Sequence, residues 1–179
     1  MKLDINHLLR MANSRVMNYA IPGLNSSLIG GNGYGLVRLF ECSRDHQESI
    51  VPHSHRFDFH CLVLQGSVKN KVWTGQYPTC DCDMFMQSRL TYKGNFGEFE
   101  IDDLGYRKFD TFESIYVEGD TYSRKADEIH SIFFARGTKV LMFESPTVSD
   151  SSVILQPYID GKTIPTFKVD DWMFERCGQ

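Results

Sequence analysis

VPHSHRFDFHCLVLQG, residues 51–66, decides how the rest of the chain is read. It holds three of the six histidines, His53, His55 and His60. On a β-strand, residues two apart project to the same face and stand about 6 to 7 Å apart along the strand. The stretch is therefore predicted to put Val51, His53 and His55 on one face, with two imidazoles able to meet at one small cation, and Ile50, Pro52 and Ser54 on the other. Arg56-Phe57-Asp58 reads as a turn, and Cys61-Leu62-Val63-Leu64 as a second strand that stops at Gly66. The unit is a hairpin with a histidine pair at one end.

Working outward, short strands continue on both sides. Before the hairpin lie a predicted strand over 36–40 and a polar loop over 43–49 that contains His46. Residues 21–35 are rich in Gly, Asn, Ser and Pro and read as a loop. The N-terminal residues 1–20 read as a helix: Asp4 caps it, and Ile5, Leu8, Leu9, Ala12, Val16 and Tyr19 recur at helical spacing, with His7 off that stripe and facing solvent. After Gly66, strands are predicted over 68–73, 84–92, 97–101, 106–112 and 114–117, separated by a loop over 75–83 and by turn signals such as Asp102-Asp103-Leu104-Gly105. A hairpin over 129–144 turns at Arg136-Gly137, an apolar run follows at 153–155, and a last strand is predicted over 163–169. Regular spacing of short strands is the pattern of an all-β sandwich or barrel.

At 179 residues the chain fits one domain with one core, and 41% hydrophobic and 13% aromatic residues suit a folded protein. Net charge is −4 and no block of Lys or Arg lies along an element, so nucleic acid and anionic membrane are not expected partners and a small molecule is. The start MKLDINHLLR has no apolar signal core, and no apolar run reaches the ~20 residues that span a bilayer, so a cytoplasmic location is expected. Five cysteines at irregular spacing, Cys42, Cys61, Cys80, Cys82 and Cys177, read as reduced thiols. Cys80-Asp81-Cys82-Asp83 offers two thiol ligands without a partner pair and reads as a loop.

His-x-His on a strand, a short turn and a second strand closed by Gly66 resemble the first motif of the cupin superfamily. The second motif of that family is a Gly followed eleven residues later by a His that opens a strand, and Gly119 and His130 have that spacing. The position seven before Gly66, where the family often carries a carboxylate, is Phe59, with Asp58 and His60 beside it. Lys125 and Asp127 replace the second motif's Pro and Gly, Phe134 its Asn, and Gln47 the Gly before the first His. The resemblance implies a single cupin domain over 1–179: a double-stranded β-helix, or jelly-roll barrel, with core 34–145, inserted strands 75–113, and a C-terminal strand and tail 146–179.

The resemblance also implies a metal held by His53, His55 and His130, with His60 as a candidate fourth ligand. Neutral imidazoles bind Zn, Fe, Ni or Mn, and three of them leave coordination positions open. A three-His cupin without the motif carboxylate resembles the thiol dioxygenases, and residues 60–66 are similar to a strand of cysteine dioxygenase, although Cys61 lies two residues past the position that can link to a Tyr there. Fe(II) is thus the favoured metal, and a dioxygenase acting on a small anionic or thiol-bearing substrate the favoured activity. Arg38 is a candidate for holding a substrate carboxylate, Arg56 another, and Tyr116 and Tyr122, which flank Gly119, for proton transfer. Asp58 either fixes a histidine tautomer or caps its turn. A metal-dependent isomerase, lyase or epimerase and a non-catalytic ligand-binding or interaction module remain the alternatives. His53-Ser54-His55 sets aside the 2-oxoglutarate oxygenases, which need His-x-Asp/Glu. The family also pairs through sheet edges, so a homodimer is expected.

Overall fold

The computed structural model describes residues 4–19, 21–44, 51–75, 84–93, 99–159 and 162–163. His46, Cys80, Cys82, Cys177, the loop 75–83 beyond its first residue and the predicted strand 163–169 beyond its first residue lie outside them.

The chain winds out and back between two facing sheets. The outward leg runs from β3 (Gly35–Cys42) through residue 53 to β4 (Phe59–Gln65) and β5 (Ser67–Thr74). The return leg runs through β8 (Asp110–Val117), β9 (Thr121–Arg124), β10 (Ile129–Phe134), β11 (Lys139–Glu144) and β12 (Ser151–Ile159). Each returning strand slots antiparallel beside the outgoing ones: β11 lies between β3 and β4, and β9 on the far side of β4. In the opposite sheet β10 pairs with β5, and the backbone of His53 bridges both His130 and Ile154. Two interleaved legs alternating between sheets make a double-stranded β-helix. The inward faces of both sheets share one core, with Phe40, Cys61, Val63, Val68, Ile132 and Val140 among its buried members.

Between β5 and β8 the expected inserted strands form a hairpin, β6 (Met84–Tyr92) and β7 (Phe99–Lys108), which joins the sheet through β12. It covers the outer face of β10, where Phe85, Phe109, Ile129 and Leu155 pack together. Sequence reading broke β7 at Asp102–Gly105, yet the strand runs through. A β-bulge opposite Gln87 and Ser88 takes up the extra residue, and Gly105, at φ 89°, supplies the left-handed backbone there.

Two expectations near the N-terminus are corrected. The helix α1 spans only Ile5–Arg10, capped by Asp4, whose side chain accepts from the amides of Asn6 and His7. The chain then turns extended as β1 (Ser14–Val16), because pairing with the next strand and packing of Val16 and Tyr19 onto the barrel core outweigh a helical stripe that buries no residue of α1. The Gly- and Ser-rich stretch read as a loop is a strand, β2 (Leu24–Asn32), paired with β3. A sheet ladder satisfies its backbone, and Leu24, Asn25, Ser26 and Ser27 are buried. A final short strand, β13 (Lys162–Thr163), pairs with β12.

Candidate metal centre

His53 and His130 lie directly opposite each other and exchange both backbone hydrogen bonds at 3.0 Å, the closely tied pairing of antiparallel strands. The expected strand around His53 reduces to this bridge, because Ser54 and His55 turn away to other partners. The Ser54 amide donates to Val153 O, and the His55 amide to Ala126 O in the loop before β10. Asp58 holds that loop in place: its carboxylate accepts from the Ala126 amide at 2.9 Å and pairs with Lys125 at 2.6 Å. Lys125 keeps the Asp58 carboxyl below the usual carboxylate range. Asp58 thus clamps the turn and touches no imidazole that it could orient.

The three rings meet inside the barrel. Centroids of His53 and His55 stand 4.7 Å apart, of His53 and His130 5.2 Å, and of His55 and His130 5.1 Å. One nitrogen from each falls within 4.8 Å of the others, close enough for all three to bind one cation at about 2.0 to 2.1 Å. His53 Nδ1 lies 2.7 Å from Val51 O and His130 Nδ1 2.9 Å from the Oδ1 of Asn70. Both acceptors are oxygens without a proton, so each Nδ1 carries the hydrogen and Nε2 has the lone pair a cation needs. His55 Nε2 sits 2.9 Å from His130 Nε2. Burial pushes the His130 pKa well below its ordinary value, helped by the nearby charges of His53 and Arg124, so this imidazole is neutral at pH 7.

The group lines a cavity of about 60 Å³. Phe40, Phe57, Phe59, Ile132, Phe134 and Met142 are among its walls. Three side chains with polar atoms besides the imidazoles line it, Tyr19, Cys61 and Tyr122, and the last two are hydrogen-bonded to each other. Burial raises the Cys61 thiol to about 12, against a hydrogen bond from Tyr122, and raises the Tyr122 phenol well above its ordinary range. Both groups are neutral at pH 7.

The remaining candidates are placed elsewhere. His60 points out of the barrel, exposed, with Nδ1 2.8 Å from Ser123 Oγ, because strand alternation sends Phe59 and Cys61 inward. It is therefore not a fourth member of the group. Arg38 donates through Nε to Glu144 at 2.6 Å and is absent from the cavity lining. The guanidinium of Arg56 lies 4.1 Å over the Tyr92 ring. Tyr116 stacks on Tyr122, centroids 4.7 Å apart, behind the cavity wall.

No family model matches the chain, and no curated protein matches it. Solved structures that resemble it include an RmlC-like cupin from Shewanella frigidimarina, at 16% identity and TM-score 0.41 over 72% of this chain and 80% of that one. Another is Streptomyces albus HEPD with 2-hydroxyethylphosphonate and Fe(II) bound, at 12% identity and TM-score 0.47 over 78% of this chain and 25% of that one. A third is Drosophila melanogaster CENP-C bound to CAL1, at 11% identity and TM-score 0.45 over 73% and 80%. Likeness at this level bears on fold alone. The out-and-back winding, with His53, His55 and His130 gathered at one end of the barrel, makes the assignment. The chain has the cupin fold.

Sequence reasoning missed the residue that supports the third histidine. Asn70, fully buried on β5, is the amide that holds His130. Its signal was a polar residue at an inward position between Val68 and Val72, where an apolar side chain belongs. Among the described residues, no helix is long and apolar enough to cross a membrane.

Proposed function

We propose that this cupin is a metal-dependent enzyme, a small-molecule oxygenase that uses Fe(II) held by His53, His55 and His130. The observation that carries the reading is the convergence of three imidazole nitrogens within 4.8 Å at the wall of an apolar cavity. Bound there, Fe(II) would supply open coordination positions and a redox couple suited to dioxygen chemistry on a neighbouring substrate. The chain's own part is positional. Val51 O and Asn70 fix the Nδ1–H tautomers, the buried His130 stays neutral and ready to ligate, and apolar walls surround the place where a substrate would sit.

An isomerase or lyase would need a proton carrier beside the cation. The cavity lining offers Tyr19, Cys61 and Tyr122, the last two with raised pKa values and hydrogen-bonded to each other, and no carboxylate among the described lining residues. That favours redox chemistry over proton transfer. Elemental analysis of protein purified without a metal-affinity tag should show close to stoichiometric transition metal, iron above zinc, manganese or nickel. His53→Ala and His130→Ala should each lower it at least about tenfold; undiminished loading in both would remove the site. Anaerobic nitric oxide added to the Fe(II) form should give an iron-nitrosyl electron-resonance signal. Silence with iron bound would return the isomerase reading.

A further inference from the structure

The cavity beside the histidines carries a statement about its ligand, which rests on the metal reading above for one end of that ligand and on the walls for the other. Apart from the imidazoles, Cys61, Tyr19 and Tyr122, the lining is aliphatic and aromatic, with no Lys, Arg, Asp or Glu among the described residues. The charged side chains near the histidines lie outside it: His55 also borders a neighbouring groove, lined by Asp58, Arg89, Lys125 and Asp127, charges of both signs. Arg38 is already neutralised by Glu144, which is itself buried, at 2.6 Å. Arg124 is close enough for its charge to be felt at His130, but it lines not the cavity but an outer groove, together with Asp58, Lys125 and Glu128. A second charged group on a ligand would therefore lose its hydration inside the cavity without gaining a partner.

We infer that the substrate is a compact molecule with one metal-coordinating group and an otherwise uncharged, apolar body. This replaces the expectation of an anionic substrate held by Arg38. The cavity has room for on the order of five waters, so the part of the ligand held beside the histidines is no larger than a short branched chain or small ring. Cys61 and Tyr122 do not change this, since each already has the other as a hydrogen-bond partner. Any charge that the ligand develops is confined to the atom that meets the cation, where three neutral imidazoles leave positive charge uncompensated.

Isopentyl mercaptan and β-mercaptopropionate test this. They are nearly isosteric and both bind a metal through sulfur; only the second carries a remote carboxylate. Titrated into the Co(II)-loaded protein and followed by the sulfur-to-cobalt charge-transfer band, the mercaptan should bind at least about tenfold more tightly. The same pair in thermal melts of the metal-free protein reads the walls by themselves: the mercaptan should raise the midpoint and the carboxylate should not. Equal or tighter binding of β-mercaptopropionate overturns the inference, and so does failure of both thiols to bind in either form. Absence of cobalt uptake, with the mercaptan still preferred in the melts, would sink the metal reading and leave the apolar cavity standing.

Discussion

Asn70 shows how much can rest on one side chain. It accepts a hydrogen bond from a buried imidazole, so Asn70→Leu leaves the His130 Nδ1–H without an acceptor in a dry interior. An orphaned buried donor costs about 1–3 kcal/mol, and loss of such a support to a ligating histidine typically weakens metal affinity about 10- to 100-fold. Chemical denaturation of the metal-free variant and a competition assay with a chromophoric chelator should read these two losses separately. Cys61 gives a pH dependence with a definite sign. Its folded pKa is raised from 9.0 to about 12, so both folded and unfolded chains hold the proton below pH 9 and its contribution to stability is fully present there. Above pH 9 the unfolded chain releases the proton first, and stability should fall by about 1.4 kcal/mol per pH unit until the folded pKa is reached. Denaturation curves between pH 8 and about 10.5 should show this slope in the wild type and a shallower one in Cys61→Ala.

At the level of elements, the end of β4 was legible, whereas the expected histidine hairpin is corrected: residue 53 bridges His130 and Ile154, and β4 pairs instead with β11 and β9. Gly66 marks that end of β4. It sits at φ 76°, and a Cβ there would lie 2.6 Å from Thr138 Oγ1 and 2.9 Å from Thr138 Cα. Thr138 in turn bonds the backbone of Ser67 through its hydroxyl, so the turn between β4 and β5 is locked against the start of β11. Gly66→Ala should cost about 2 kcal/mol or more in unfolding free energy, while leaving metal stoichiometry unchanged. Where sequence reading failed, the deciding force lay outside the segment. β2 has little apolar pattern of its own and becomes a strand by pairing with β3; β7 contains turn residues that a bulge absorbs. The helix stripe beyond Arg10 was real as a periodicity, but Val16 and Tyr19 serve the barrel core. Local pattern speaks first, and a neighbouring strand can overrule it.

Across the whole molecule, the out-and-back winding was legible only through the two motif anchors, Gly66 and the Gly119–His130 pair, because nothing in local periodicity says which of a dozen strands are neighbours. The meeting of His53, His55 and His130 followed from that winding. Their support did not, since Asn70 and Val51 O act through hydrogen bonds that no spacing reveals. Likewise the pairing of Arg38 with Glu144, 106 positions apart, turns a candidate substrate anchor into a structural ion pair. A cation that binds the folded chain and not the unfolded one adds about 2.7 kcal/mol when present at a hundred times its dissociation constant. In a chain of this size, chelation should then lower the melting midpoint by roughly 5–10 °C in calorimetry.

The same residue that offers an imidazole to the cation also stitches β10 to β12 through its main chain, and with Pro52 and Ser54 it forms the seam along which the β12–β6–β7 flap is attached. Stripping the ion should therefore be felt first as a loosened hem: faster deuterium uptake at the amides of Ser54, His130 and Leu155, well before the rest of the barrel opens. In His53 the candidate metal ligand and the rivet of the seam thus belong to one residue, the first through its ring and the second through its main chain.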